Sequence, residues 1–69
     1  MRREAVTSSN IISVGHDRSS STLEIEFKDG RIYQYFGVPE QVYRDLVTAP
    51  SVGAFFQQNL RGQYPYARL

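Results

Sequence analysis

The sequence predicts an α+β domain: a three-stranded antiparallel β-meander followed by two short α-helices packed on one face, then an extended C-terminal tail. Three observations carry this. Short runs in the first half alternate apolar and polar residues, Asp29-Gly30 supplies a hairpin turn between two of them, and apolar residues in the second half recur at helical spacing. With 69 residues the chain is one domain, and its 41% hydrophobic content is globular rather than disordered. A core of this size supplies roughly 3–5 kcal/mol. The absence of Cys and the single His exclude a disulfide framework and a Cys/His zinc cluster. Eight Lys+Arg against seven Asp+Glu give no global attraction to nucleic acid or membrane.

Residues 1–7 read as a polar, loosely held start. Arg2-Arg3 is followed by polar residues where a signal peptide needs an apolar stretch, and no run is long enough to span a membrane. A cytoplasmic location is expected.

Asn10 to His16 forms the first strand, with Ile12 and Val14 alternating with Ser13 and Gly15. Asp17-Arg18-Ser19-Ser20-Ser21 is a turn. Thr22 to Phe27 puts Leu23, Ile25 and Phe27 on one face and Glu24 and Glu26 on the other. Arg31 to Phe36 returns as the third strand. A two-residue loop at Asp29-Gly30 would pair Phe27 with Ile32 and turn Tyr33 and Tyr35 outward beside the glutamates. A three-residue loop with Gly30 as a bulge would pair Ile25 with Tyr33 and Leu23 with Tyr35, placing both tyrosines on the core face. The second register buries more large side chains without burying Gln34, and we favour it. It leaves Ile32 exposed.

Gly37-Val38-Pro39 breaks the strand, Pro39 suits a first helical position, and Glu40 complements the helix dipole. Val42, Tyr43, Leu46 and Val47 form an apolar stripe that Thr48-Ala49-Pro50 ends. Ser51 caps a second helix whose buried face is Val52, Phe55, Phe56 and Leu60, closed by Gly62. Pro65 keeps the tail extended.

Certain residues in this series carry a resemblance. They are Ser8-Ser9-Asn10-Ile11, Val14-Gly15-His16-Asp17, Leu23-x-Ile25-x-Phe27, Gly30 and Tyr33-x-Tyr35. Val38-Pro39, Ala49-x-Ser51-x-Gly53, Phe56, Asn59-Leu60-Arg61 and Tyr64 complete it. The pattern resembles the KTSC domain, named for the C-terminal end of some lysyl-tRNA synthetases and also found alone in small bacterial proteins. The likeness spans residues 8–66, leaving 67–69 as a terminal end, and Tyr-x-Tyr is its signature. His16 stands where the family commonly has Tyr, and Gln57 where Asn is frequent. The resemblance implies an α+β fold in which Tyr33, Tyr35, Pro39, Ser51 and Gly53 are motif residues of a structural kind. Through the synthetase association it points to RNA.

Tyr33 and Tyr35 are either a stacking platform for bases or core rings, and a β-strand's preference for Tyr favours core. The tail offers more. No acid follows Asp45, and Tyr64 and Tyr66 lie between Arg61 and Arg68, interleaving stacking rings with phosphate-pairing cations. The competing reading is a strap whose Tyr64 packs on the helices. Ser51-Val52-Gly53 opens a helix and offers free N–H groups, as any capped helix does, while Gly53 marks close approach of that helix to the sheet. His16, Asp17 and the serines after it contain triad residue types but lie contiguous in a polar turn, which does not build a triad. Glu24 and Glu26 read as solubilising charge. No phosphate loop, dinucleotide fingerprint or metal-ligand spacing occurs.

The expectation is a binding module rather than an enzyme, without cofactor, metal or small-molecule substrate. Its first candidate partner is RNA, transfer RNA included, held by Arg61, Tyr64, Tyr66 and Arg68. The alternative is a protein partner or a second copy, docked on the sheet's open face near Ile32 or on a strand edge.

Overall fold

The computed structural model describes residues 1–69. Its elements are β1 (Glu4–Ala5), β2 (Ile11–Asp17), β3 (Thr22–Phe27), β4 (Ile32–Phe36), α1 (Glu40–Thr48), α2 (Val52–Asn59) and β5 (Tyr66–Arg68). The strands form one antiparallel sheet in the order β1-β2-β3-β4-β5. The expected meander is its centre, and the expectation of three strands is corrected to five. At one side, Glu4–Ala5 from the polar start pairs with β2. At the other, the extended tail closes on β4. The Phe36 N–H donates to the Pro65 carbonyl at 2.9 Å, and the Leu69 N–H donates to the Ile32 carbonyl at 2.8 Å. Without β5, the β4 edge would present unpaired backbone groups to water.

The β3–β4 hairpin adopts the three-residue loop. Gly30 has φ +92°, a left-handed conformation that a bulge glycine takes without strain, and the Phe27 N–H donates to the Arg31 carbonyl at 2.9 Å. Ile25 therefore faces Tyr33, and Leu23 faces Tyr35. Ile32, expected to be exposed, is half-buried.

The first strand departs from simple alternation. Ile11 pairs with Phe27 and Ser13 with Glu26, so Ile12 is the extra residue of a β-bulge. Ile11 and Val14, rather than Ile12 and Val14, share the core, and Ile12 is 39% exposed. The bulge also turns the Ile12 carbonyl outward to accept the Val6 N–H at 3.0 Å, extending the attachment of the N-terminal segment.

Both helices cover one sheet face. Pro39 is the N-cap of α1, one place ahead of the expected first helical position, and α1 ends at Thr48 as expected. Ser51 caps α2 by accepting the Ala54 N–H at 3.2 Å. Leu46, Val52, Phe56 and Leu60 meet Ile11, Val14, Leu23, Ile25 and Tyr35 in the core. Gly53 approaches the segment leading into β2 rather than the sheet itself. A Cβ there would stand 3.2 Å from Asn10 Oδ1.

The opposite sheet face is not a bare solvent face. An added Cβ at Gly15 would run into the Arg2 carbonyl, so the glycine lets the N-terminal segment lie flat on the sheet. Arg3 then reaches Glu24 at 3.1 Å and Glu26 at 3.6 Å. Gln34 donates to Glu24 at 2.9 Å, and the Ser13 hydroxyl donates to Glu26 at 3.1 Å. The reading of the two glutamates as solubilising charge is corrected. Glu24 is only 9% exposed, and the pair anchors a polar network that joins β2, β3 and β4 to the N-terminal segment.

Candidate functional site

Strand register places the site. Residues opposite one another share a face, so two rows cross the core side of the sheet: Val14, Ile25, Tyr33, Arg68 and His16, Leu23, Tyr35, Tyr66. Each row runs from the packed centre to the open β5 edge. Tyr35 is 5% exposed, Tyr33 half-buried and Tyr66 61% exposed. The glutamates lie on the other face, which removes the repulsion that a shared face would have imposed on phosphate.

The rings form one cluster. Tyr33 and Tyr35 stack at 6.4 Å with planes 21° apart, and Tyr66 lies 5.7 Å from each. Phe56 of α2 meets Phe27 and Tyr35 edge-on, both at 5.6 Å, and Phe27 meets Tyr33 edge-on at 5.8 Å. These five rings line a groove of about 480 Å³ between the β3–β4 turn, β5 and the C-terminal half of α2.

Three cations rim it: Lys28, Arg31 and Arg61. Arg31 lies 5.9 Å from the centroids of both Phe27 and Tyr33, a cation–π placement. Asp29 is the groove's single acid, and Arg31 holds it at 2.6 Å. The Arg31 backbone N–H, then its side chain and charge, with a contribution from Arg68, lower the Asp29 pKa below the usual carboxylate range. Lys28, Arg61 and Arg68 make no ion pair.

The four residues singled out in the tail separate. Arg61 and Tyr66 line the groove, joining Tyr33 and Tyr35. Arg68 stands opposite Tyr33 on the sheet but outside the groove lining. Tyr64 is half-buried against the core. Sequence reasoning missed Lys28 and gave Arg31 no role. Their position flanking the Asp29-Gly30 turn beside Tyr33 was the available signal.

The other constellations are occupied within the fold. His16 stacks on Tyr43 at 5.7 Å and donates Nε2–H to the Val38 carbonyl at 2.7 Å. Asp17 accepts the Ser19 N–H at 3.0 Å and its hydroxyl at 2.8 Å, a turn bond. No helix is long and apolar enough to cross a membrane.

Burial raises the Tyr35 phenol above the ordinary tyrosine value, and charge on Tyr33 and Tyr66 adds to this while Arg61 opposes it. Burial and the charge of Glu4 raise Tyr43 likewise. A raised pKa means that the folded state keeps protons which the unfolded chain has lost, so this contribution is complete below about pH 10 and lost as pH rises through the folded values. Stability measured by urea unfolding is expected to fall above about pH 10. Tyr35→Phe is expected to flatten that decline, and an unchanged slope in the variant would contradict the assignment.

A five-stranded antiparallel sheet backed on one face by two helices defines a small α+β domain. Residues 7–64 match the KTSC domain, and the chain belongs to that family. It is similar over 99% of its length to the crystal structure of a KTSC domain protein from Yersinia pestis. There the TM-score is 0.93 and the identity 38%, with 96% of that chain covered. An uncharacterised protein from Stutzerimonas stutzeri (strain A1501) is 40% identical over 70 residues, spanning 100% of this chain and 99% of the relative. A lysine–tRNA ligase from Nostoc sp. (strain PCC 7120 / SAG 25.82 / UTEX 2576) is 41% identical over 54 residues, which is 78% of this chain and 10% of the ligase.

Proposed function

We propose that the chain is a binding module, not an enzyme, that holds a short single-stranded RNA segment in the groove. The observation carrying this is the aromatic floor with its three-cation rim, where the single acid is already neutralised by Arg31. Half-exposed rings stack bases of any sequence, and free cations beside them pair with the connecting phosphates. The relationship to a ligase named for its action on tRNA supports RNA as the ligand class, transfer RNA included. Within the tail, Arg61 and Tyr66 contact the strand directly, Arg68 adds charge opposite Tyr33 beyond the groove lining, and Tyr64 supports the fold.

A protein partner or a second copy would have to use the opposite sheet face or an edge. That face carries the Arg3–Glu24–Glu26–Gln34 network rather than an apolar patch, so the groove is the stronger surface.

Tyr66→Ala tests the reading. Its ring is mostly exposed, so the fold is expected to survive while affinity for a short uridine-rich RNA falls about tenfold, the size of one lost stacking contact. Fluorescence anisotropy measures it. Undiminished affinity in a folded Tyr66→Ala protein would overturn the proposed site.

A further inference from the structure

The sheet ends at β5 with backbone groups unpaired. The Phe36 and Leu69 N–H groups reach the Pro65 and Ile32 carbonyls, so residues 65, 67 and 69 address β4. Tyr66 and Arg68, which alternate with them, aim their N–H and C=O groups away from the sheet. Pro65 does not blunt this outer edge, because its missing N–H falls on the β4 side. The opposite edge offers less. The Val6 N–H bonds the Ile12 carbonyl and Glu4 stands opposite Val14, which leaves Ala5 as the single outward residue of β1, beside the Ile12 bulge.

Apolar side chains gather at the β5 edge. Of the five large hydrophobic residues that stay exposed, Phe36, Tyr66 and Leu69 lie on β4 or along the β5 segment. Phe36 is 37% exposed and Leu69 66%. Both share the reverse face with Ala67, beyond the Glu24–Gln34 bond at which the polar network stops.

We propose that β5 pairs antiparallel with β5 of a second copy of this chain, about a two-fold axis through Ala67. The occupant is a second copy because the edge complements itself in this register. Tyr66 of each copy faces Arg68 of the other, and each such pair exchanges both of its hydrogen bonds. An axis through Arg68 would set like charges face to face, and one through Tyr66 would leave Arg68 with no strand residue opposite.

The side chains agree with the backbone. On the core face, Arg68 comes to lie between Tyr33 of its own chain and Tyr66 of the other, a cation between two rings. An arginine that makes no ion pair and lies outside its own groove lining thereby reaches the rim of the second copy's groove. On the reverse face, Pro65 stands opposite Leu69 of the other copy. Phe36 and Pro65 of one chain then line up with Leu69 and Ile32 of the other, an apolar seam on either side of the two alanines. A net charge of +1 per chain sets little repulsion against the pairing. The contact is short, so the dimer belongs to the weak, concentration-dependent class. This inference does not rest on the RNA reading.

Sedimentation equilibrium from about 10 µM to about 1 mM tests it, a range that covers weak association. The mass is expected to rise from that of one chain, 7.9 kDa, toward twice that value. Ala67→Glu sets two carboxylates face to face at the axis, and Ala67→Lys two ammonium groups, where cross-strand side chains come closest. Residue 67 is exposed, so both variants are expected to keep the circular dichroism spectrum of the folded chain. Each alone is expected to stay a single chain, and an equimolar mixture of the two to associate. Arg68→Pro removes an outward N–H without touching a bond to β4, and is expected to stay folded and single. A one-chain mass for the unaltered protein at about 1 mM would overturn the dimer and leave the edge to a strand from a different protein. Dimers that persist in Ala67→Glu and Ala67→Lys alike, or a mixture no more associated than either alone, would overturn the axis through Ala67.

Discussion

Phe56→Ala is expected to leave a large share of the chain unfolded at room temperature. The ring is 3% exposed and meets Phe27 and Tyr35 edge-on, so its removal opens a cavity beneath the groove and inside the core at once. Truncating a buried Phe costs about 3–5 kcal/mol, and a domain of this size is held by roughly the same amount. Urea unfolding followed by near-ultraviolet circular dichroism measures the effect. A cooperative transition with its midpoint almost unmoved would show that the α2–sheet contact is not what holds the fold. The contrast with Tyr66→Ala is informative, because both rings border the groove. One supports the floor from below and the other lies open on top of it, so the first substitution reads stability and the second reads affinity.

Replacing Lys28, Arg31 and Arg61 together with Ala is expected to weaken RNA binding by on the order of a hundredfold at low salt, with little change in stability. All three side chains are exposed, and the Arg31–Asp29 pair is a surface ion pair that adds little to stability. Losing three phosphate contacts should reduce the salt dependence of log K by about 2, since each contact to a single strand contributes about 0.7. Removing Arg31 also frees the Asp29 carboxylate to repel the strand. Restoring Arg31 alone is therefore expected to recover more affinity than restoring Lys28 alone. A triple variant with the unaltered protein's salt slope would place the phosphates elsewhere.

Local chemistry made much of this fold legible. Lys28-Asp29-Gly30 could close only two loops, and burying Tyr33 and Tyr35 selected between them. Ser51 announced α2, and Val42, Tyr43, Leu46 and Val47 announced the inner face of α1. The misses share a physical cause, which is that their signals sit on the partner rather than on the segment. Glu4–Ala5 and Tyr66–Arg68 are too short to show an alternating period, and they are strands because β2 and β4 offer them edges. Ile12 cannot be recognised as a bulge until Phe27 and Glu26 fix the register opposite it. Glu24 reads as solvent-facing until Arg3 is laid across Gly15. The site was half visible for the same reason. Arg61 and Tyr66 stood out as neighbours along the chain, while Lys28 and Arg31 join them only through the meander, so a linear reading gathered Tyr64 in their place.

The most direct test of the account is an amide NMR titration of the unaltered protein with a short single-stranded RNA at low and moderate salt. Shifts are expected to be confined to the β3–β4 turn around Lys28 and Arg31, to Tyr33 and Tyr35, to Gln57–Arg61 and to Tyr66, all fading as salt rises. Shifts clustered instead on Arg3, Ser13, Glu26 and Gln34, or a spectrum that does not respond at all, would contradict it.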